Sequence, residues 1–456
     1  MRSAATAAGD VAAQAYRVHS AQPLVDVSLL KGWFTPTMEI LALVLFAVAL
    51  VRSGRRWQVF AIPSVLGVGL ITILICYCAM GAQGWSPGDA PLIVWLSIGG
   101  LGAVLAMAAV GWRAGRWWNR TATVVSIPLL ALCIGLSVNQ WTGYFPTASR
   151  AWDGIASEPL PEQTSVQRLA AFRDDQRATA GGRIVPISVP SHLSGFHHRQ
   201  EYVYLPQRWF TGPTPPHLPA LMMIGGVVNT PEDWVRSGSA MATVQNYAAT
   251  HNGVAPILVF ADPSGSMTND TECVNGPHGN VDTHLADELR PYVVSQFGAS
   301  ANPLQWGVVG WSMGGTCAVD LVTRHPDLFS TFEDISGDIG PNLGNKAQTI
   351  AALYGHDASA WDRFNPETVM TTHGEYHHVA GWFQSNGHWS PRHRAFECAQ
   401  LKAARSLAAT ASDEGIETVV RAGPGAHSWS YASEAFDDAL GWLMQHIWPE
   451  TPTLPV

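Results

Sequence analysis

The most informative part of this sequence is the segment Trp306-Gly-Val-Val-Gly310-Trp-Ser312-Met-Gly314-Gly315. It contains the pattern G-x-S-x-G between an apolar strand-like stretch and a helical stretch, Met313–Arg324. Such a serine sits on a tight strand-to-helix turn, where flanking glycines let the neighbouring backbone approach closely. The pattern predicts Ser312 as a nucleophile and the N–H of Met313 as one donor to an oxyanion.

Short apolar segments alternate with longer helical segments around this turn. We predict strands at Ile184–Val189, Glu201–Leu205, Ala220–Ile224, Ile257–Phe260, Trp306–Val309, Thr331–Ile335, Val379–Phe383 and Thr418–Arg421. We predict helices near Pro231–Thr250, Val281–Phe297, Met313–Arg324, Pro391–Ser412 and Tyr431–Ile447. The alternation predicts an α/β fold with a mainly parallel sheet, helices on both faces and an antiparallel start.

A nucleophilic serine needs a general base and a second oxyanion donor. His427, in Gly423-Pro-Gly-Ala-His427-Ser-Trp, follows the last predicted strand, which is where this fold places its histidine. The turn Leu221-Met-Met-Ile-Gly225-Gly226-Val227 follows an early strand, and we predict the N–H of Val227 as the second donor.

The acid that would orient the base is left open by the spacing of residues. The loop after the strand ending at Phe383 contains no carboxylate. Glu397, Asp413 and Glu414 lie further along the chain, and Glu375 lies just before that strand. Position in the sequence alone does not choose among these four acids.

The first third of the chain contains four apolar stretches. They run roughly from Trp33 to Val51, Trp57 to Met80, Pro91 to Trp112 and Thr121 to Gly143. Each is near the ~20 residues that cross a bilayer as a helix. The sequence therefore predicts a transmembrane domain at 1–143, a linker at 144–183 and the α/β domain at 184–456.

The distribution of charge gives this membrane domain an orientation. Residues 1–150 carry a formal charge of +6, whereas the rest of the chain carries −15. Basic residues fall in the first loop (Arg52–Arg56) and the third (Arg113–Arg120), and the second loop has none. By the positive-inside rule, these two basic loops are cytoplasmic and the α/β domain lies outside the cytoplasm.

The overall composition excludes several other classes of protein. The net charge of −9 argues against nucleic-acid binding, and the chain has no H-E-x-x-H or C-x-x-C motif. We expect no metal or other cofactor, and we interpret the local histidine cluster His373, His377, His378, His388 and His393 as solvated or packed side chains. Three cysteines, Cys273, Cys317 and Cys398, lie in the α/β domain, so pairing of Cys273 with Cys317 or with Cys398 is open.

The α/β domain resembles a known family in its motifs. About 240 carboxy-terminal residues resemble the Esterase family of α/β-hydrolases, and within it the antigen-85 type mycolyltransferases. The nucleophile segment is similar to their G-x-S-M-x-G, and His427-Ser-Trp-Ser-Tyr431 is similar to their H-S-W-x-Y. In that family the acid is a helical glutamate about thirty residues before the histidine, and Glu397 matches that position. The resemblance implies a triad of Ser312, Glu397 and His427.

The chain also departs from that family. Val228 stands where the family has an arginine that contacts sugar, which argues against trehalose as the acyl acceptor. The family members have no membrane bundle, and the first cysteine of their loop disulfide corresponds to Cys273.

These observations together predict a membrane-anchored, extracytoplasmic serine esterase or acyltransferase. Its substrate would be a lipid or other acyl ester, and mycolyl or other lipid acyl transfer in the cell envelope is one form of this activity. The alternative is a membrane sensor or transporter-like protein with an inactive hydrolase-like ectodomain. The sequence does not predict the acyl chain, the acceptor or the oligomeric state.

Overall fold

A computed structural model describes residues 26–52, 55–82, 87–174, 181–212 and 214–449. The chain divides into two compact units. One contains most of the amino-terminal part, up to Glu158. The other contains the chain from Pro159 onward, together with the short segments 77–89 and 141–144.

Within the described residues before Gly143, the chain forms four long helices. They are α1 (Phe34–Leu50), α2 (Ile62–Ala82), α3 (Leu92–Gly111) and α4 (Trp117–Thr142). Among the described residues, three helical stretches are long and apolar enough to cross a membrane, namely Trp57–Gly81 (the π-helical turn Trp57–Ala61 followed by α2), Leu92–Gly111 and Trp117–Thr142. The fourth, α1, is apolar but has only 17 residues. Each predicted apolar stretch coincides with one of these helices.

Polar side chains near the helix ends connect α1 to its neighbours. The Arg52 guanidinium, just after α1, donates hydrogen bonds to the main-chain oxygen of Gly111 and to the hydroxyl of Thr123. The Asn119 amide donates to two main-chain oxygens at the end of α1, both at 2.8 Å. Hydrogen bonds of this kind hold apolar helices together where hydrophobic contrast is weak.

Two short α-helices lie in the described part of the segment that the sequence predicts as a linker. They are α5 (Ala148–Ile155) and α6 (Leu169–Asp174).

Eleven strands are found among the described residues that follow. They are β1 (Arg183–Ile187), β2 (Glu201–Leu205), β3 (Ala220–Ile224), β4 (Ile257–Ala261), β5 (Asn275–Gly276), β6 (Gly279–Asn280), β7 (Trp306–Trp311), β8 (Thr331–Ile335), β9 (Ala380–Ser390), β10 (Ala395–Glu397) and β11 (Glu417–Pro424). The main sheet has the order β1-β2-β4-β3-β7-β8-β9, with β10 and β11 both paired to β9, and β5 pairs with β6. Neighbouring strands are antiparallel at the start of the sheet, in the pairs β1–β2 and β2–β4. They are parallel in the pairs β4–β3, β3–β7, β7–β8, β8–β9 and β9–β11. The predicted α/β fold with its antiparallel start is therefore confirmed.

Helices cover both faces of this sheet. They are α7 (Asp233–Arg236), α8 (Ala240–Thr250), α9 (Val281–Thr283), α10 (Arg290–Phe297), α11 (Met313–Arg324), α12 (Lys346–Tyr354), α13 (Ala358–Phe364), α14 (Pro366–His373), α15 (Ala399–Asp413) and α16 (Trp429–Ile447). Alternate residues of a strand point to opposite faces. Accordingly, Met222 of β3 packs into the core formed with α11 and α15, and Met223 packs into the core formed with α8 and α16.

The main error of the sequence prediction lies between β9 and α15. The predicted helix Pro391–Ser412 begins only at Ala399, because β9 extends to Ser390 and β10 returns beside it. Pro391 lies in the hairpin turn instead of the first turn of a helix. The cap of α15 is Cys398, whose sulfur accepts the N–H of Leu401.

Two smaller differences concern helices. The predicted helix Pro231–Thr250 is split into α7 and α8, because Ser239 has a left-handed backbone (φ 54°). The helices α12, α13 and α14, between β8 and β9, are absent from the sequence prediction.

A disulfide joins Cys273 to Cys317, with their Cα atoms 5.6 Å apart. It connects the loop after β4 to α11, the helix that follows Ser312. Of the two pairings left open by the sequence, the structure selects this one, and Cys398 is a free thiol.

Candidate active site

Ser312 lies at the turn between β7 and α11 with an unusual backbone conformation. Its φ is +60° and its ψ is −123°, a region that residues with side chains rarely adopt. The turn is tight because two glycines allow close contacts. A Cβ on Gly310 would lie 1.7 Å from the oxygen of Gly314, and one on Gly314 would lie 2.2 Å from the oxygen of Ile224. The G-x-S-x-G pattern therefore has a steric cause.

The imidazole of His427 lies directly beside this serine. Its Nε2 is 2.9 Å from the Oγ of Ser312, which is hydrogen-bonding distance. His427 is in the loop between β11 and α16, and Ser428 caps α16 by accepting the N–H of Tyr431. The ring of Trp311 lies 5.3 Å from the imidazole ring, centroid to centroid. The structure thus brings Ser312 and His427 together from positions 115 residues apart.

The turn after β3 passes close to Ser312. A Cβ on Gly226 would lie 3.2 Å from the Cβ of Ser312. Within the described residues, the N–H of Val227 has no hydrogen-bond acceptor, and the N–H of Met313 is the first of α11 and so lacks an intrahelical one. Both predicted oxyanion donors therefore lie on elements next to the nucleophile.

Glu397 is on β10 rather than in a helix, which corrects the helical position that the family resemblance implies. Its carboxylate contacts the ring of His393 and its side chain is 38% exposed. The hydrogen bonds and charge of His393 hold the pKa of Glu397 below its usual value. A surface cavity of about 420 Å³ lies beside Glu397 and is also lined by Cys398, Lys402 and Arg405.

A short chain of contacts links the region of Glu397 to the histidine loop. The thiol of the next residue, Cys398, donates to the main-chain oxygen of Asn386 at 2.8 Å. The amide of Asn386 in turn donates to the oxygen of Gly425 at 3.4 Å, two residues before His427. Glu397 therefore lies at the same edge of the sheet as the histidine loop, although its present partner is His393.

The three other acids considered from the sequence lie at the opposite edge. Glu375 precedes β9, while Asp413 and Glu414 precede β11. Ser312 and His427 follow the carboxyl ends of β7 and β11, and the eight residues of β11 span roughly 25 Å. This separation removes Glu375, Asp413 and Glu414 as partners of His427.

Sequence reasoning missed several buried ionisable residues. Glu333 and Asp334, both on β8, are fully buried, and burial raises the pKa of Asp334 to about 7. Asp334 accepts the N–H of Gly337 at 2.7 Å and lies against Gly315 of α11. The sequence feature that could have indicated them is a pair of acidic residues inside a predicted strand.

One group in the described part of the chain has side chains spaced for a metal ion, namely His198, Glu201 and His284. The two imidazoles are stacked at 4.6 Å with planes only 20° apart, so their in-plane lone pairs do not converge. Both ring nitrogens of His198 also lie within 2.9 Å of main-chain oxygens. This arrangement fits a hydrogen-bonded network better than a metal site.

The chain is similar to several known proteins. It is 29% identical over 361 residues to an uncharacterized protein of Corynebacterium glutamicum, covering 75% of this chain and 80% of that protein. It is 31% identical over 120 residues to the MPT51 antigen of Mycobacterium leprae, covering 26% of this chain and 36% of the antigen. Among solved structures, a ferulic acid esterase matches with a TM-score of 0.47 and 17% identity, covering 58% of this chain and 98% of the esterase.

A family match extends over more than half of the chain. Residues 197–443 match the family described as "Putative esterase", and this range includes β2 to β11, Ser312 and His427. With the α/β-hydrolase architecture, this match shows that the chain belongs to the Esterase family of serine hydrolases.

Proposed function

We propose that this protein is a membrane-anchored serine esterase or acyltransferase that acts on ester-linked acyl groups outside the cytoplasm. The observation that carries the proposal is the 2.9 Å contact between His427 Nε2 and Ser312 Oγ, at a serine whose backbone is forced to positive φ. The proposed roles are Ser312 as nucleophile, His427 as base, Glu397 as the orienting acid, and the N–H groups of Met313 and Val227 as oxyanion donors.

The first half-reaction forms an acyl-enzyme. Ser312 Oγ attacks the carbonyl carbon of the ester while its proton moves to His427 Nε2. The carbonyl oxygen becomes an oxyanion, stabilised by the N–H groups of Met313 and Val227. When the carbon–oxygen bond to the alcohol breaks, His427 gives the proton to the departing oxygen.

The second half-reaction releases the acyl group. Water or an alcohol attacks the acyl carbon while His427 takes the proton from its oxygen. The bond to Ser312 Oγ then breaks, and the proton returns from His427 to that oxygen. Water gives hydrolysis, and a sugar or lipid hydroxyl gives acyl transfer.

A lipid-like acyl ester in the cell envelope is the proposed substrate class. The hairpin of β9 and β10 lies at the carboxyl edge of the sheet, beside the histidine loop, and presents Trp389 with 54% of its surface exposed. Arg392 and Arg394, at the hairpin turn, are also exposed. An exposed aromatic ring on the same hairpin as cationic side chains suits an amphiphilic substrate.

The rival hypothesis is a membrane sensor or transporter-like protein whose ectodomain has lost activity. The contact between Ser312 and His427 and the close approach of the Gly226 turn favour turnover over this alternative. Mixing the full-length protein with a p-nitrophenyl ester distinguishes the two. We expect turnover of the ester, with an initial burst of p-nitrophenol equal to the enzyme concentration if deacylation is slower than acylation. A folded protein that gives neither a burst nor turnover would favour the inactive ectodomain.

The proposed topology predicts which parts of the chain are accessible in intact cells. A tag inserted between Arg52 and Arg55 should be protected from added protease, because that loop is basic and faces the cytoplasm. A tag at Val456, which lies outside the described residues, should be cleaved. Immunoblotting with and without membrane permeabilisation measures both, and a protected carboxy-terminal tag would overturn the extracytoplasmic location.

A further inference from the structure

A chain of polar side chains lies behind the turn that carries Val227. Its members are Arg199, whose side chain is 20% exposed, and the buried residues Glu201, Asn229, Asp262 and His284. Glu201, Asp262 and His284 are completely inaccessible to solvent, and Asn229 is 3% exposed. None of them has a role in the acyl-transfer steps described above.

Arg199 connects this network to the turn. Its Nη2 donates to Oδ1 of Asp262 at 2.6 Å and to the main-chain oxygen of Asn229 at 2.7 Å. Its Nε is 3.1 Å from both carboxylate oxygens of Asp262. Burial alone would raise the pKa of Asp262, but the hydrogen bonds and charge of Arg199 outweigh it and lower that pKa. The two groups therefore form a fixed ion pair.

Asn229 fixes the turn itself through two hydrogen bonds. Its Oδ1 accepts the N–H of Gly226 at 2.8 Å, and its own N–H donates to the oxygen of Gly226 at 3.0 Å. The oxygen of Gly226 and the N–H of Val227 belong to one planar trans peptide and point in opposite directions. Since the oxygen is held towards Asn229, the N–H of Val227 is held pointing away from Asn229.

The far side of the network keeps Asp262 in place. Oε1 of Glu201 accepts the N–H of Asp262 at 3.0 Å and lies 3.2 Å from Nε2 of His284. The Nδ1 of His284 lies 3.0 Å from a carboxylate oxygen of Glu288. Burial lowers the pKa of His284, but the two carboxylates outweigh it and raise that pKa. The ion pair of Arg199 and Asp262 is thus joined to the contact of Glu201 and His284 through the main-chain N–H of Asp262.

We propose that Arg199 and Asn229 are positioning residues that orient the peptide between Gly226 and Val227, so that the N–H of Val227 faces the oxyanion formed at Ser312. The inference rests on the proposed function, because the oxyanion exists only if Ser312 attacks an ester. Arginine suits this place because its planar fork reaches the carboxylate of Asp262 and the carbonyl of Asn229 together. A lysine offers one point charge and no such fork.

The test compares Arg199→Lys and Asn229→Ala in the full-length, detergent-solubilised protein. We expect kcat to fall by roughly 10- to 100-fold with KM changed less than about twofold. The reason is that a displaced Val227 N–H would weaken the stabilisation of the oxyanion in the transition state more than the binding of the ester. Inhibition by a trifluoromethyl ketone, which forms a tetrahedral oxyanion on the serine, should weaken by a similar factor. A purely structural role would not move these two readouts together.

Arg290→Lys is the matched control. Arg290 is buried and, like Arg199, donates to a main-chain oxygen, that of Ala301 at 3.0 Å, but it packs on Trp306 at the amino end of β7. It should lower the melting temperature about as much as Arg199→Lys and leave kcat unchanged. Asn229→Ala keeps the ion pair, so it provides the test if Arg199→Lys is not recovered folded.

The outcomes separate this inference from the proposed function. Suppose that Ser312→Ala is inactive in this assay, whereas Arg199→Lys and Asn229→Ala both keep the kcat and the ketone inhibition of the wild type. That result would overturn the positioning role. Full activity of Ser312→Ala would instead overturn the proposed function. An equal loss of kcat in Arg290→Lys would show a general effect of destabilisation and also overturn the inference.

Discussion

Replacing Ser312 by alanine is expected to lower ester turnover by roughly 10⁴-fold or more and to abolish labelling by a fluorophosphonate probe. The hydroxyl 2.9 Å from His427 is the proposed nucleophile, and no covalent intermediate forms without it. Turnover of the purified protein and in-gel fluorescence of the labelled chain measure the two effects. Labelling of the alanine variant at another serine would contradict the assignment.

Ser312→Gly is the companion variant, and it separates chemistry from stability. The backbone of Ser312 has φ of +60°, a conformation that costs a residue with a side chain about 1–3 kcal/mol. Glycine relieves this strain but loses more entropy on folding. We therefore expect Ser312→Gly to be as inactive as Ser312→Ala. Its free energy of unfolding in denaturant should be about 1 kcal/mol higher than that of Ser312→Ala. A less stable glycine variant would show that the turn is not strained.

Glu397→Gln is expected to preserve the fold and lower kcat by roughly 10²–10⁴-fold, because Glu397 is the acid proposed to orient the ring of His427 and to stabilise its protonated form. Of the four acids considered from the sequence, Glu397 alone lies at the carboxyl edge of the sheet, near the histidine loop. The glutamine is isosteric and the site is partly exposed, so circular dichroism and thermal unfolding should change little.

His393→Asn is the control for this variant, since His393 is the present partner of Glu397. It removes the imidazole and leaves the carboxylate free to serve His427. We expect it to retain near wild-type kcat. Equal, small effects of Glu397→Gln and His393→Asn would mean that Glu397 only pairs with His393, and the acid would have to be sought elsewhere.

The sheet was predictable because its signal is local. The strand Ala220–Ile224 is a short apolar run between Pro219 and Gly225, and its predicted bounds agree with the structure, as do those of Thr331–Ile335. The turn at Ser312 was equally readable, since Gly310 and Gly314 are required by contacts within a few residues and with the adjacent strand.

The hairpin and the buried network were not predictable for the opposite reason. Residues 384–387 become strand because they pair with β11, 37 residues further on, and residues 388–390 because they pair with β10. Pro391 gave a false signal for a helix start. The contact between Glu201 and His284 joins positions 83 residues apart. No periodicity in a single sequence indicates such a pair, and buried charges run against the usual pattern.

The disulfide between Cys273 and Cys317 gives the catalytic domain a dependence on its redox surroundings. The bond closes a loop of 44 residues, and the loss of chain entropy in the unfolded state corresponds to about 4 kcal/mol. That is a large part of the roughly 5–15 kcal/mol by which folded domains are usually stable. A chain kept among reducing thiols lacks this contribution, and the helix that begins beside Ser312 is attached to the β4 loop only by packing. Oxidation of this cysteine pair would therefore act as a maturation step. Helix α11 would reach its full stability only in an oxidising compartment.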